Sequence, residues 1–194
     1  MWSNDLADLS SDRLNNAAET IILGRNYGLP KVLKRAFYEI LRTSGLGQDN
    51  DDTADDNDED KRFQITQTDH GLLVRTREKL SQAWFETLSS AHHLFPCPNA
   101  RQGGAPSDQS ADGTANIVAC PSVSEKKTQW TQLVLFSGMS YEYSHDVLSG
   151  LKIFVDRNWM VEDGYCKDCS KKRKDVSQQQ MVSLWKMLDD WLKL

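Results

Sequence analysis

Apolar residues recur along this chain at steps of three and four, the spacing that lines one face of an α-helix. The clearest case is residues 21–43, IILGRNYGLPKVLKRAFYEILRT, which read as the end of one helix, a glycine stop, a proline restart and a second helix. Gly28 stands where a left-handed cap is wanted, and Pro30 where a first turn tolerates a missing N–H. The first helix is expected from about Ser11 to Tyr27 and the second from Pro30 to about Arg42, with Gly45 as its cap. In the second, Leu29, Leu33, Ala36, Phe37, Ile40 and Leu41 form one stripe, and Lys31, Lys34, Arg35 and Glu39 fall on the other side.

The same period continues downstream. Thr66 and Asp69 have the spacing of a capping box and open a long helix carrying Leu73, Leu80, Trp84, Leu88 and Phe95, which Pro96 ends. Ser122 or Ser124 caps a helix with Trp130, Leu133, Val134 and Phe136 that Gly138 stops. Ser144–His145–Asp146 starts another through Leu148, Leu151 and Phe154, read as helix on length although Ile153–Phe154–Val155 alone could pass for a strand. Asn158 to Gly164 reads as a loop. A final helix bears Met181, Leu184, Trp185, Leu188, Trp191 and Leu192, and its tryptophans are expected to dock the C-terminus on the core. The long helix at Thr66 and the terminal helix are the expected partners of the hairpin stripe. The fold class is therefore all-α, with helical hairpins packed in one irregular bundle over residues 1–194 and two long polar loops.

The polar loops change the reading of charge. Eight of the 28 acidic residues lie between Asp49 and Asp60, and the rest of the chain has 20 acidic against 23 basic residues. The formal charge of −5 thus belongs to one segment. Residues 46–62 hold an acidic run with no apolar residue larger than alanine between Gln48 and Lys61, expected to be a disordered loop because burial cannot offset the entropy of ordering it. Its spacing lacks the glycine and terminal glutamate of a calcium loop. Residues 98–119 form a second flexible, Gly/Ser/Asp-rich loop. No stretch has the roughly 20 consecutive apolar residues of a membrane span, and the N-terminus lacks a signal-peptide pattern. An intracellular protein, cytoplasmic or nuclear and without a membrane partner, is expected.

Candidate chemistry centres on four cysteines. Cys166-x-x-Cys169 has the spacing of two thiolates sharing a tetrahedral metal at a helix start. The other half of such a site could come from Cys97 and Cys120, which flank the second polar loop, or from His92 and His93. The loop adds only a logarithmic entropy cost to bringing Cys97 and Cys120 together. A structural zinc on Cys97, Cys120, Cys166 and Cys169 stands against the simpler reading of four small, partly buried residues. No G-x-S-x-G, phosphate loop, H-E-x-x-H or Rossmann glycine pattern occurs, and no enzyme is expected. His70, His92, His93 and His145 read as capping or surface residues. Lys171–Lys172–Arg173–Lys174 sits at the start of the last helix, where the macrodipole disfavours positive charge. It reads as a solvated face before a nuclear-import or nucleic-acid patch.

These motifs carry a family likeness. The segment IILGRNYGLPKVLKRAFYEILR resembles the region following the BTB/POZ domain in fungal, mushroom-type BTB domain-containing proteins. There an apolar pair, a Lys/Arg-Tyr step, a proline and an alanine-aromatic helix come in this order. The likeness continues at ITQTDHGLLVRTREKL, at Cys97 and Cys120 followed by Trp130, and at GYCKDCSKKRK with the closing LWKMLDDWLKL. It covers most of the chain outside the polar loops. The resemblance implies a BACK-like helical domain used for protein–protein contacts, and its cysteine correspondence adds weight to the zinc reading. No BTB domain precedes the first ten residues, so BTB-mediated dimerisation and cullin recruitment are not expected from this chain alone. Two functions stand side by side: a non-enzymatic protein–protein interaction module with a structural zinc, and a zinc-dependent nuclear protein contacting nucleic acid through its basic helix start.

Overall fold

The computed structural model describes residues 16–43, 65–90, 96–100 and 120–194. Both expected polar loops lie outside these residues, apart from 98–100, as do the start expected near Ser11, the cap at Gly45, and His92, His93 and Phe95. The described residues form eight helices and no strand: an all-α fold, as the period of the sequence predicts. Helices α1 (Ala17–Asn26) and α2 (Pro30–Leu41) make the hairpin. Its turn is a complete Schellman motif. Gly28 is left-handed at φ 61°, its N–H reaches the Arg25 carbonyl, and the Leu29 N–H reaches that of Gly24 at 2.8 Å. Pro30 then begins α2 without wasting a donor.

Helix α3 (Gln67–Ser89) opens on Thr66, whose hydroxyl accepts the Asp69 N–H at 3.2 Å and donates to the Asp69 carboxylate at 2.8 Å. That carboxylate is buried and also pairs with Arg25, so one residue caps α3 and ties it to α1. Helix α4 (Val123–Thr131) begins with a full capping box between Ser122 and Glu125. Its expected continuation to Gly138 differs in detail: residues Gln132–Phe136 widen into a π-turn, and Phe136 points outward at 82% exposure instead of joining the apolar face. A single turn, α5 (Met139–Glu142), follows. Helix α6 (Val147–Asp156) takes Asp146 as its cap and includes Ile153–Phe154–Val155, so helix wins over strand there. The stretch read as a loop from Asn158 contains a short helix, α7 (Trp159–Asp163), held by the Asn158 side chain on the Val161 N–H and by the Glu162 carboxylate on the Asn158 N–H. One turn is too short for periodicity to reveal. Helix α8 (Lys167–Leu192) completes the fold.

α8 is the axis of the bundle. It packs along α6 and touches α2, α3 and α7, while α3 also meets α2, α5 and α6. The hairpin thus rests on α3 and α8, the two partners its stripe called for. Its polar side is not solvated as the pattern implies, because Lys34 and Glu39 are buried. Lys34 lies over the Trp185 ring at 4.6 Å and pairs with Asp189 of α8 at 2.8 Å. Glu39 is bracketed by Arg35 at 2.7 Å and Arg42 at 2.8 Å. Between these charges, Tyr38 meets Trp185 edge-on and donates its hydroxyl proton to Asp146 at 2.9 Å while accepting the Leu148 N–H at 3.1 Å. Tyr38 therefore joins α2 to the start of α6.

Two substitutions test this packing. A Cβ on Gly150 of α6 would stand 2.7 Å from the Trp84 ring and 2.8 Å from the Tyr143 Cβ. Trp84 is pinned by its Nε1 proton on the Ser140 carbonyl and cannot swing away. Gly150→Ala is expected to cost about 1–3 kcal/mol in urea unfolding. For Tyr38, burial first and the Asp146 carboxylate second push its pKa well above the ordinary 10.0. A raised folded pKa gives stability that is complete below pH 10 and lost as pH climbs past it. Tyr38→Phe should cost about 1–2 kcal/mol at neutral pH. The gap to the wild type should narrow in unfolding curves taken at increasing pH above 10.

Candidate metal centre

Each sulfur is delivered by a local structure that its sequence specifies. Cys97 starts a tight turn in which the Ala100 N–H returns to its carbonyl at 3.0 Å, and an isolated parallel bridge pairs Ala100 with Cys120, whose N–H donates to the Asn99 carbonyl at 2.9 Å. Cys120 is followed by Pro121 and the Ser122 cap of α4. Cys166 is the cap residue of α8, reached through a left-handed Gly164, and Cys169 sits in its first turn. Three separate segments converge in this way.

The four sulfurs lie within 4.8 Å of one another, with Cys97 and Cys166 only 3.6 Å apart. A disulfide needs about 2.0 Å, and all four cysteines are free thiols. By contrast, four sulfurs at about 2.3 Å from one tetrahedral ion stand about 3.8 Å from each other, close to the Cys97–Cys166 distance and inside the 4.8 Å limit of the set. Cys120 and Cys169 are buried, and Cys97 and Cys166 are half-buried at the rim.

The thiols are not equivalent. Burial pushes Cys120 up, against the pull of the Cys166 N–H that its sulfur accepts at 3.4 Å. Burial pushes Cys169 up as well, and the competing thiols of Cys97, Cys166 and Cys120 add to it. At Cys166 burial acts in the same direction but is outweighed by the Cys169 backbone N–H and by hydrogen bonds from the other three thiols, so its pKa is lowered. Of these three, Cys166 is the one whose surroundings favour the thiolate. The N-terminal end of α8 adds its own preference for negative charge on Cys166 and Cys169.

Two cations lie beneath the sulfurs, and neither stands out in the sequence as part of a site. Lys126, on α4, is fully buried with its Nζ 3.5 Å from the Cys169 Sγ. Arg173, one turn beyond Cys169 on α8, is also fully buried. Its guanidinium lies 4.6 Å from the Trp130 ring centre and 4.3 Å from that of Trp159, and it donates to the Tyr165 hydroxyl at 2.8 Å. Trp130 and Trp159 are fixed in turn by their indole protons on the Leu88 and Phe154 carbonyls. This corrects the reading of Lys171–Lys174 as a solvated face: Lys171 and Lys172 are exposed, Lys174 is half-buried and Arg173 is inside. The misplaced positive charge at a helix start was the signal that could have revealed it. Of the histidines, His70 is exposed and His145 is half-buried beside the Ser144 hydroxyl at 3.3 Å. A cleft of 390 Å³ between Pro121, Gln129 and Asp163 borders the centre, but its Glu125 is engaged in the α4 capping box.

No family model, curated protein or solved structure matches the chain. What its own geometry defines is an all-α protein with a four-cysteine cluster at metal-binding spacing.

Proposed function

We propose that this chain is a protein–protein interaction module, without catalytic activity, whose helical fold is clamped by a structural zinc ion on Cys97, Cys120, Cys166 and Cys169. The convergence of four sulfurs from three chain segments carries the zinc reading. Zinc favours this donor set and spacing, and it takes all four as thiolates. Four thiolates fill the coordination sphere, so the metal has no position for water or substrate and its role is to hold the fold. The likeness of residues 21–42 and 164–194 to the region after fungal BTB domains supports protein contact as the purpose of that fold.

The surface supports the same reading. Leu135 and Phe136 on the π-turn and Tyr141 on α5 are exposed, the two rings by more than 80% each. Large apolar groups gathered on neighbouring elements mark contact surfaces. The alternative, nucleic-acid binding through the basic helix start, is weakened because Arg173 is turned inward and leaves two exposed lysines in its place.

Purified protein is expected to carry one zinc per chain by elemental analysis. Cys169→Ser should release it and destabilise the fold by several kcal/mol, since structural zinc contributes about 10–16 kcal/mol of binding free energy in small fingers. A metal-free chain of unchanged stability would overturn the clamp. For the contact surface, a photo-cross-linker at Tyr141 in cells should give a discrete, saturable adduct that Phe136→Asp abolishes with no change in circular dichroism. Diffuse labelling, indifferent to Phe136→Asp, counts against the surface.

A further inference from the structure

The zinc reading accounts for the sulfurs but not for the two cations placed under them. Lys126 and Arg173 come from different helices, α4 and α8, and both are withdrawn completely from water. Placing an ammonium and a guanidinium inside a protein costs several kcal/mol each unless negative charge is supplied nearby. Both lie over the Tyr165 ring, Lys126 at 5.4 Å and Arg173 at 5.3 Å from its centre, and Tyr165 immediately precedes Cys166. Lys126 is in contact with the Cys169 sulfur at 3.5 Å. The nearby carboxylate of Asp163 is held by Arg157, at 2.7 and 3.3 Å, and its charge also acts on Arg173.

We propose that Lys126 is a built-in counter-cation of the four-cysteine centre. The proposal rests on the metal reading above and deepens it. A divalent ion with four thiolates carries a formal charge of about −2, part of which the Lys126 ammonium at the Cys169 sulfur offsets. Lys126 acts at a defined atom: its ammonium donates to the Cys169 sulfur, stabilising that thiolate in the bound state as partners of metal ligands generally do. Arg173 is fixed more rigidly, its planar guanidinium held by aromatic faces and by the Tyr165 hydroxyl, and sets the background potential. Lys126 is the residue through which affinity is tuned.

The test is a competition titration of zinc against a chromophoric chelator, on the full chain and its Lys126→Met, Lys126→Gln and Lys126→Arg variants, with cobalt(II) spectra reporting a tetrahedral four-sulfur environment. The wild type should bind one zinc. Lys126→Met and Lys126→Gln should bind one zinc about 10–100-fold more weakly with the cobalt spectrum still tetrahedral, and Lys126→Arg should recover most of the loss. Neutral variants that bind as tightly as the wild type overturn the counter-cation assignment and leave the zinc centre standing. So does a Lys126→Arg no stronger than Lys126→Gln, a comparison that decides the matter even if Lys126→Met does not fold. A wild type that binds no divalent metal overturns both.

Discussion

The constraint on which this structure turns is a positive charge in its centre. Arg173 sits in a basic run that reads as a solvated face, yet it is fully buried among Trp130, Trp159 and Tyr165. Cation–π contact and its bond to the Tyr165 hydroxyl recover part of the lost hydration. What stands one helical turn away is a cluster of four ionisable sulfurs. The aromatic core and the cysteine cluster are therefore neighbours, with rings packed against the guanidinium and two of the sulfurs at the start of the same helix. The rings extend the arrangement outward, since Phe154 lies 4.9 Å from Trp130 and stacks with Trp84 at 6.0 Å. In this way the sulfur centre is connected by direct packing to α3 and α6.

Helix α8 transmits this order along its length. At about 1.5 Å per residue, its 26 residues span about 39 Å. Its first turn supplies Cys166 and Cys169, and its last supplies Asp189 to Lys34 of the hairpin. Trp185 closes the far end by meeting Tyr38 edge-on and lying under the Lys34 ammonium. Each end of the helix is thus fixed by a buried cation with an aromatic partner, and the stretch between is apolar packing against α6. The hairpin and the sulfur centre, remote in sequence and at opposite ends of α8, belong to the same core.

Helices, caps and stops were readable because they are local. The Schellman turn at Gly28 depends on residues 24–29, and the Thr66 and Asp146 caps on three residues each. The four cysteines were readable as a candidate cluster from type and spacing, and their sulfurs do converge. What could not be read follows from distance. That Lys34 is buried depends on Trp185 and Asp189 of α8, more than a hundred residues away. α7 was missed because one turn carries no period. Arg173 was hidden in a basic run, where composition favours solvent. Only its conflict with the α8 macrodipole marked it.

The same geometry bears on why a clamp is placed here. The segment ending at Ala100 and the one beginning at Cys120 are joined by residues 101–119, and the bonds that hold their ends together are few: a turn at Cys97, one bridge, and the Asn99 carbonyl. Backbone pairing this sparse contributes little against the entropy of closing the polar stretch between them. Apolar packing is equally thin at Cys97, which is half-buried beside an exposed Pro96 and Pro98. In the proposed centre, a bond from each sulfur to a common ion would fix both ends to the start of α8 without requiring more buried surface. The requirement would then fall on four side chains.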